Sequence, residues 1–301
     1  MYIKFMIDEN KNSYITYWLL LITVLVGLMI VVGGLTRLTD SGLSITRWDL
    51  ISGILPPLSL NDWEKAFSLY KEIPEYKLLN SSMALAEFKI IYWWEYAHRL
   101  LGRIIGLFYL IPLLYFTFKK MIKKNSITSL YLIFGLILLQ GFIGWYMVMS
   151  GLTVRTDVSH YRLSLHLTLA FIIFMMLFWN YLKSKNTKSL IQQKKLPQYL
   201  PVFFSLAILL QITVGAFVSG LDAGQIYQSW PLMNDKYFPD DSNFKDLFAL
   251  NSLETPSLVQ FIHRNMAYFI FIFFGLIAIK IFTNTDFYYL RKPIILIFIF
   301  L

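Results

Sequence analysis

The segment that decides the fold is WWEYAHRLLGRIIG, residues 93–106, near the start of a long apolar run. It places a carboxylate, an imidazole and guanidinium groups on a helix whose other residues suit lipid. Ionisable side chains inside a membrane are energetically costly, and they usually mark a functional site. Glu95 and His98 are three residues apart and lie on one helix face, while Gly102 and Gly106 allow a second helix to pack closely.

The composition of the whole chain is that of a membrane protein. Hydrophobic residues make up 57% of the 301 residues, charged residues make up 15%, and the mean hydropathy is +0.57. Soluble domains have a charged share of about 25%. The net charge of +9 comes largely from lysines in short loops, which is typical of membrane topology and not of nucleic-acid binding. Because the chain has no cysteine, disulfides, thiolate metal ligands and cysteine nucleophiles are excluded.

Apolar segments of about 20 residues, the length needed to cross a bilayer, divide the chain. Six such segments are present, and a shorter one begins at Pro293. The six cover residues 14–36, 90–118, 128–149, 161–182, 199–220 and 259–282. Lysine-rich loops at residues 119–127 and 183–198 predict the cytoplasmic side, so residues 1–13 are expected in the cytoplasm as well. The first segment is too long for a signal-peptide core and is expected to remain as an anchor.

Part of the chain is duplicated. Residues 33–42 align without gaps on residues 215–224, and a Trp and a Pro follow at equal distances in both copies. The second and sixth spans also correspond, since EYAHR at residues 95–99 matches QFIHR at residues 260–264. The repeat predicts two four-helix halves. The nine residues from Pro293 to Leu301 form about 14 Å of helix, too short to cross a membrane.

The expected architecture is therefore an all-α integral membrane protein, a duplicated four-helix bundle with six full transmembrane helices and a partial seventh. The first half covers residues 14–182, and the second, incomplete half covers residues 199–301. A cytoplasmic linker at residues 183–198 joins them. The loop from Arg37 to Glu87 contains an amphipathic stretch at residues 60–70, which is expected either to cover an outward-facing site or to be purely structural.

Three of the four histidines lie at one predicted depth in the membrane. Counted from the outer helix ends, His98, His166 and His263 lie about 8–12 Å below the outer surface. Imidazole is a common axial ligand of haem iron, and helical bundles hold such cofactors. We therefore predict these three residues as metal ligands of haem iron; the alternative is hydrogen-bonded packing. His160 cannot face the same site as His166, six residues later, and is expected at the surface or in a supporting role.

The two halves differ at Glu95, whose counterpart in the repeat is Gln260. A carboxyl group one turn from an iron ligand can accept a proton or stabilise developing positive charge. The alternative is a structural ion pair with Arg99 or with an arginine of the loop. Arg99 and Arg264 suit the carboxylates of a ligand, such as haem propionates. The difference predicts chemistry in the first half and a supporting role for the second.

Together these motifs resemble those of haem A synthases of the alphaproteobacterial and mitochondrial type, over about residues 30–282. The most specific match is residues 93–103. The other matching pieces are residues 33–44, 56–57, 74–76, 88–89, 140–141, 144–145, 161–163, 166–167, 220–224, 260 and 263–264.

The resemblance implies an eight-helix enzyme that oxidises the C8 methyl group of haem O to the formyl group of haem A, for cytochrome oxidase. It implies that Glu95, His98 and His166 are catalytic residues at the haem substrate, and that His263 is an axial ligand of a resident haem b. In the resemblance the other haem b ligand lies on helix 8, so a chain that ends at Leu301 is expected to be C-terminally truncated.

The implied partners are a haem O synthase that supplies the substrate, an electron-transfer partner and membrane lipid; a homo-oligomer is left open. The implied location is the bacterial inner membrane, in preference to the mitochondrial inner membrane, with the N-terminus in the cytoplasm. A second interpretation is a non-catalytic membrane cytochrome that carries electrons through haem b. A third is a small-molecule transporter, which explains the duplication but not three histidines at one depth.

Overall fold

The computed structural model describes residues 2–49, 52–185 and 196–300, and these residues form helices and loops with no β-strand among them. The α-helices are α1 (Tyr2–Leu38), α2 (Leu60–Tyr70), α3 (Pro74–Leu78), α4 (Leu85–Phe118), α5 (Lys124–Val148), α6 (His160–Ser184), α7 (Tyr199–Gly220), α8 (Pro256–Thr283) and α9 (Arg291–Phe300). Short 3₁₀ helices occupy Ser52–Ile54, Ala223–Gln225, Phe244–Phe248, Ser252–Glu254 and Thr285–Leu290.

Within this described part of the chain, six helices are long and apolar enough to cross a membrane, which confirms the predicted all-α membrane fold. They are α1 from Ser13 onward, α4, α5, α6, α7 and α8. The second of them begins at Leu85, before the apolar run, because the Glu87 carboxylate accepts a hydrogen bond from the Ala84 N–H at 2.7 Å and so caps the helix. Hydropathy locates only the apolar part of a helix, and such capped polar ends lie outside it.

The chain divides into two compact units, Met1–Asn186 and Thr187–Leu301. Of the predicted linker at 183–198, residues 186–195 lie outside the described residues. In the first unit α1 packs against α4 and α6, and α5 packs against α6. Two hydrogen bonds to backbone carbonyls join helices of this unit, from Trp18 Nε1 to the Phe108 carbonyl at 3.0 Å and from the Tyr109 hydroxyl to the Leu130 carbonyl at 2.8 Å. Buried apolar side chains fill the space between the helices.

The loop between α1 and α4 folds as a small aromatic layer on the first turns of α4. Helix α2 coincides with the amphipathic stretch predicted at residues 60–70. The ring of Phe67 lies 4.9 Å from that of Phe88, and the ring of Trp63 lies 5.0 Å from that of Tyr92. Aromatic pairs at such distances stabilise packing beyond the effect of buried area. The layer holds the loop against the end of α4 that carries Glu95.

In the second unit α7 packs against α8, and α9 lies against the end of α8. A separate apolar cluster joins these elements, with Phe274, Ile277 and Ile281 of α8 packed against Phe287 and Ile294. Each unit therefore has a core of its own.

Candidate functional site: two loop anchors and three histidines

Glu95 is buried where α4 meets the loop that follows α1. Its Oε2 atom accepts hydrogen bonds from Ser44 Oγ and from the backbone N–H of Ile45, both at 2.7 Å. Its Oε1 atom forms an ion pair with Arg99 at 2.5 Å, and only 3% of the residue is exposed. The structural ion pair that the sequence offered as an alternative is therefore present, and it holds the carboxylate in one orientation.

Arg99 directs its guanidinium group at the loop. Its Nη2 atom donates to the Ile45 carbonyl at 2.8 Å, and its Nη1 atom donates to the Arg47 carbonyl at 3.0 Å. The guanidinium carbon lies 4.7 Å from the centre of the Trp48 ring, which adds a cation–π contact. These contacts anchor the loop to α4, a role that the sequence analysis did not foresee for Arg99.

Arg264 anchors a loop in the second unit in the same way. Its Nη2 atom donates to the Tyr227 carbonyl at 2.6 Å, and its Nη1 atom donates to the Ser229 carbonyl at 2.9 Å. In the gap-free repeat, Tyr227 corresponds to Ile45 and Ser229 corresponds to Arg47. Residues that correspond in the predicted repeat therefore accept equivalent hydrogen bonds in both units.

The two anchors differ in one side chain. Gln260 Nε2 donates to the Tyr227 carbonyl at 2.9 Å, whereas Glu95 accepts from the N–H of Ile45. An amide can donate, but a carboxylate only accepts, so each side chain selects a different atom of the equivalent loop residue. Both arrangements hold the loop, and only the first unit places a carboxylate there.

His98 and His166 each lie beside a glycine of the neighbouring helix. A Cβ atom on Gly33 of α1 would lie 3.2 Å from His98 Nε2, and one on Gly144 of α5 would lie 3.0 Å from His166 Cε1. Both distances are tighter than ordinary side-chain contacts. Both predicted ligands of the first unit therefore pack closely against a neighbouring helix, at positions where glycine makes room for the ring.

Gln140, one turn before Gly144 on α5, contacts His166 twice. Its Nε2 atom donates to the His166 carbonyl at 3.0 Å and lies 3.2 Å from the imidazole Nε2. Among the described residues, neither His166 Nδ1 nor Gln140 Oε1 has a hydrogen-bond partner, although both atoms are buried.

The same arrangement surrounds His263 in the second unit. A Cβ on Gly215 would lie 3.1 Å from His263 Cε1. Gln211 Nε2 donates to the His263 carbonyl at 3.1 Å and lies 3.3 Å from the imidazole Nε2. His263 Nδ1 and Gln211 Oε1 are again buried without a partner in the described part of the chain. Neither glutamine was among the residues predicted for the site, although QGFIG at 140–144 and QITVG at 211–215 share their spacing.

His160 is buried, with 7% of its surface exposed, and its ring lies 4.5 Å from that of Tyr161. The expectation of a surface position is therefore wrong. The connection between α5 and α6 folds back over the start of α6, where the Ser159 N–H donates to Ser150 Oγ at 2.9 Å. Depth along a helix does not show such a fold, and the supporting role stays a prediction.

Glu75 of α3 is a buried carboxyl group that the sequence analysis did not single out. It is 5% exposed, and its Oε2 atom has no hydrogen-bond partner among the described residues. Burial raises the pKa of Glu75 to about 8, and the negative charges of Glu95 and Asp40 add to the effect. The group is therefore largely protonated at neutral pH.

The donor set at the histidines suits a metal that brings its own ligands. In residues 2–49, 52–185 and 196–300, no three His, Asp or Glu side chains cluster closely enough to hold a bare ion. Haem iron needs only one or two protein donors, because the porphyrin supplies the others. Imidazoles that pack against glycine within apolar helices can each supply one such donor.

Comparison with known proteins gives the family. A family model described as COX15-CtaA, cytochrome oxidase assembly protein, matches residues 16–301. The chain belongs to the COX15-CtaA family. A relative from Pelagibacter ubique, named haem A synthase, is 51% identical over 271 residues, which is 89% of this chain and 80% of the relative.

Two further relatives carry the same name. The protein of Parvibaculum lavamentivorans is 46% identical over 266 residues, which is 87% of this chain and 75% of the relative. The protein of Rickettsia felis is also 46% identical over 266 residues, covering 87% of this chain and 78% of the relative. The predicted membership of the haem A synthase family is thereby confirmed. No solved structure matches the chain.

Proposed function

We propose that this chain is a haem A synthase, an oxidoreductase that converts the C8 methyl group of haem O to the formyl group of haem A for cytochrome oxidase. The observation that carries the proposal is that two histidines on the apolar helices of the first unit, His98 of α4 and His166 of α6, each pack closely against a neighbouring helix. Each ring lies beside a glycine, and Glu95 is one helical turn from His98. Membership of a family whose relatives are named haem A synthase supports the same conclusion.

In this proposal His98 and His166 hold the iron of the substrate through neutral ring nitrogens. The overall half-reaction, R–CH₃ + H₂O → R–CHO + 4 H⁺ + 4 e⁻, passes through the hydroxymethyl compound, and the electrons leave to an electron-transfer partner. Glu95 accepts a proton or stabilises positive charge at the reacting carbon. The Arg99 ion pair and the two loop donors keep that carboxylate in place.

His263 is proposed to ligate a resident haem b in the second half, residues 199–301, while the first half, residues 14–182, holds the substrate. When bound, haem b supplies one-electron redox chemistry. Gln260 leaves this half without the carboxylate of the first, which suits a supporting role. Arg99 and Arg264 remain residues of the two haem sites in this proposal, and they act mainly through the loops that they anchor.

The six spans make this a multi-pass membrane protein. We propose that it lies in the bacterial inner membrane with its N-terminus in the cytoplasm, which the lysine-rich loop at 119–127 supports. A haem O synthase in the same membrane is the proposed supplier of substrate.

The proposal is tested in cells that make haem O but lack a haem A synthase of their own. Haems are extracted and analysed by mass, with the chain, without it, and with its His98→Ala variant as the matched control. We expect haem A or its hydroxymethyl precursor only with the unaltered chain. Haem O alone, with the protein demonstrated in the membrane, would overturn the enzymatic assignment.

The second candidate is the membrane cytochrome that only carries electrons, and the Glu95–Arg99 ion pair favours it because it gives Glu95 a purely structural use. The same experiment separates the two candidates. A carrier would copurify with haem and give a reversible optical redox change, but it would yield no haem A.

A further inference from the structure

We propose that Gln140 competes with iron for the Nε2 atom of His166 and thereby makes the haem at this histidine exchangeable. The inference rests on the proposed function, in which His166 is an iron ligand. It assigns Gln140 as a positioning residue for His166.

The orientation of the Gln140 amide follows from its backbone contact. The amide atom 3.0 Å from the His166 carbonyl oxygen must be the nitrogen, because two oxygen atoms at that distance would repel each other. The same nitrogen lies 3.2 Å from the imidazole Nε2. An amide nitrogen only donates, so its second hydrogen points to a ring nitrogen that must accept.

This contact determines the tautomer of His166. If Nε2 accepts, the ring hydrogen is on Nδ1, and Nε2 carries the only available lone pair of the neutral ring. That is also the lone pair that iron requires. The Gln140 N–H and the iron therefore use one nitrogen in turn, and cannot use it together.

The competition has a purpose at a substrate site, where haem O must enter and haem A must leave. A ring nitrogen released by iron in an apolar interior would lose its partner, which is energetically costly. Gln140 supplies a replacement donor without moving far, because its other hydrogen stays on the His166 carbonyl. Release becomes easier, and the freed ring keeps the tautomer that the next haem needs.

His98 has no glutamine in the corresponding position. The position one turn before Gly33 of α1, equivalent to Gln140 before Gly144, is Met29, whose side chain has no N–H group. The pair is therefore asymmetric, with His98 as the lasting ligand and His166 as the releasable one.

The same arrangement recurs in the second unit. Gln211 Nε2 lies 3.1 Å from the His263 carbonyl and 3.3 Å from the ring Nε2, nearly the distances of the first unit. In both units the glutamine oxygen and the ring Nδ1 are buried without partners among the described residues. Two occurrences on different helix pairs argue against an accident of packing.

The test is haem release from Gln140→Leu. The purified full chain in detergent is loaded with haem O, mixed with an excess of a haem-scavenging globin, and followed by its optical spectrum. We expect release to slow about three- to tenfold relative to the unaltered chain and equilibrium affinity to rise by the same factor, since the competing hydrogen bond is gone. In the activity assay both kcat and KM should fall, because product leaves more slowly.

A merely structural glutamine would give the opposite sign. Faster release, weaker binding or no change in Gln140→Leu would overturn the inference. Thr23→Val is the matched control, because it removes another buried side-chain hydrogen bond, from Thr23 to the Leu19 carbonyl of its own helix. If Gln140→Leu does not accumulate, Gln140→Met applies the same test with a flexible side chain. An unaltered chain that binds no haem would instead refute the proposed function, which is a separate and recognisable result.

Discussion

Both units hold a loop against a helix through an arginine, but the side chain beside that arginine differs between them. In each unit an arginine on the histidine-bearing helix binds the carbonyls of two equivalent loop residues, Arg99 at residues 45 and 47 and Arg264 at residues 227 and 229. Arg264 also contacts the Leu232 carbonyl at 3.4 Å. The neighbouring side chain is Glu95 in the first unit and Gln260 in the second. Because an uncharged amide suffices to hold the second loop, anchoring alone does not require a buried carboxylate. The comparison thus indicates a further use for Glu95.

The largest expected effect is the loss of an iron ligand. His98→Ala and His166→Ala should each abolish haem A formation and empty the substrate site, because each removes a donor that the porphyrin cannot replace. His263→Ala should leave haem O binding in the first unit intact while removing haem b. Pyridine haemochrome spectra of the purified variants, together with extracted haem analysis, measure both. Loss of the same haem in all three variants would break the division of roles between the units.

The next largest effect is expected when Glu95 is replaced by glutamine, the residue found at the equivalent position 260 of the second unit. Glu95→Gln should retain haem O but lower conversion about 10²- to 10⁴-fold or trap the hydroxymethyl intermediate, because the proton acceptor is gone. The measurement is the ratio of haem A, intermediate and haem O in extracts. Glu87→Gln serves as the control, since that carboxylate caps the start of α4. If Glu95→Gln produced haem A at the normal rate, the role of Glu95 would be structural and not catalytic.

Replacing each arginine in turn should show that the two loop anchors contribute different amounts to the stability of the protein. Arg99→Leu leaves the Glu95 carboxylate buried without its counter-ion, which typically costs about 3–5 kcal/mol. Arg264→Leu leaves only carbonyls and a neutral amide, and it should cost about 1–3 kcal/mol. Thermal unfolding in detergent measures the difference. The double variant Arg99→Leu with Glu95→Gln should recover part of the loss, and equal costs for the two single variants would contradict the comparison.

The smallest effect concerns Glu75 in the loop of the first unit. Its pKa is raised to about 8 by burial and by neighbouring negative charge, so the folded protein retains a proton that the unfolded chain releases near its ordinary pKa of 4.5. Stability from this group is complete below that lower value and is lost as the pH rises to about 8. Glu75→Gln should therefore flatten the fall of the melting temperature between pH 5 and pH 8. The exposed Glu72→Gln should not, and an unchanged slope in Glu75→Gln would exclude the effect.

Much of the site was predictable from short stretches of sequence. The three histidines, Glu95 and the matching Gln260 stand out because polar groups are rare in spans rich in Leu, Ile and Phe. The glutamines were harder to find. Gln140 and His166 are 26 residues apart, and Gln211 and His263 are 52 apart, so no local period links them. The shared Gln-x-x-x-Gly spacing was a usable signal. It occurs on the third and fifth spans, however, whereas the repeat pairs the first span with the fifth.

The sequence by itself determined the six spans, the repeat, the family and the rare polar side chains within apolar helices. It could do so because hydropathy, charge bias and motif identity are properties of neighbouring residues. Only the tertiary structure decided that Arg99 and Arg264 bind loop carbonyls, that His160 and Glu75 are buried, and that a glutamine lies at two of the three histidines. These outcomes depend on which distant backbone atoms and helices meet, because the hydrogen-bond partners of buried polar groups lie far away along the chain.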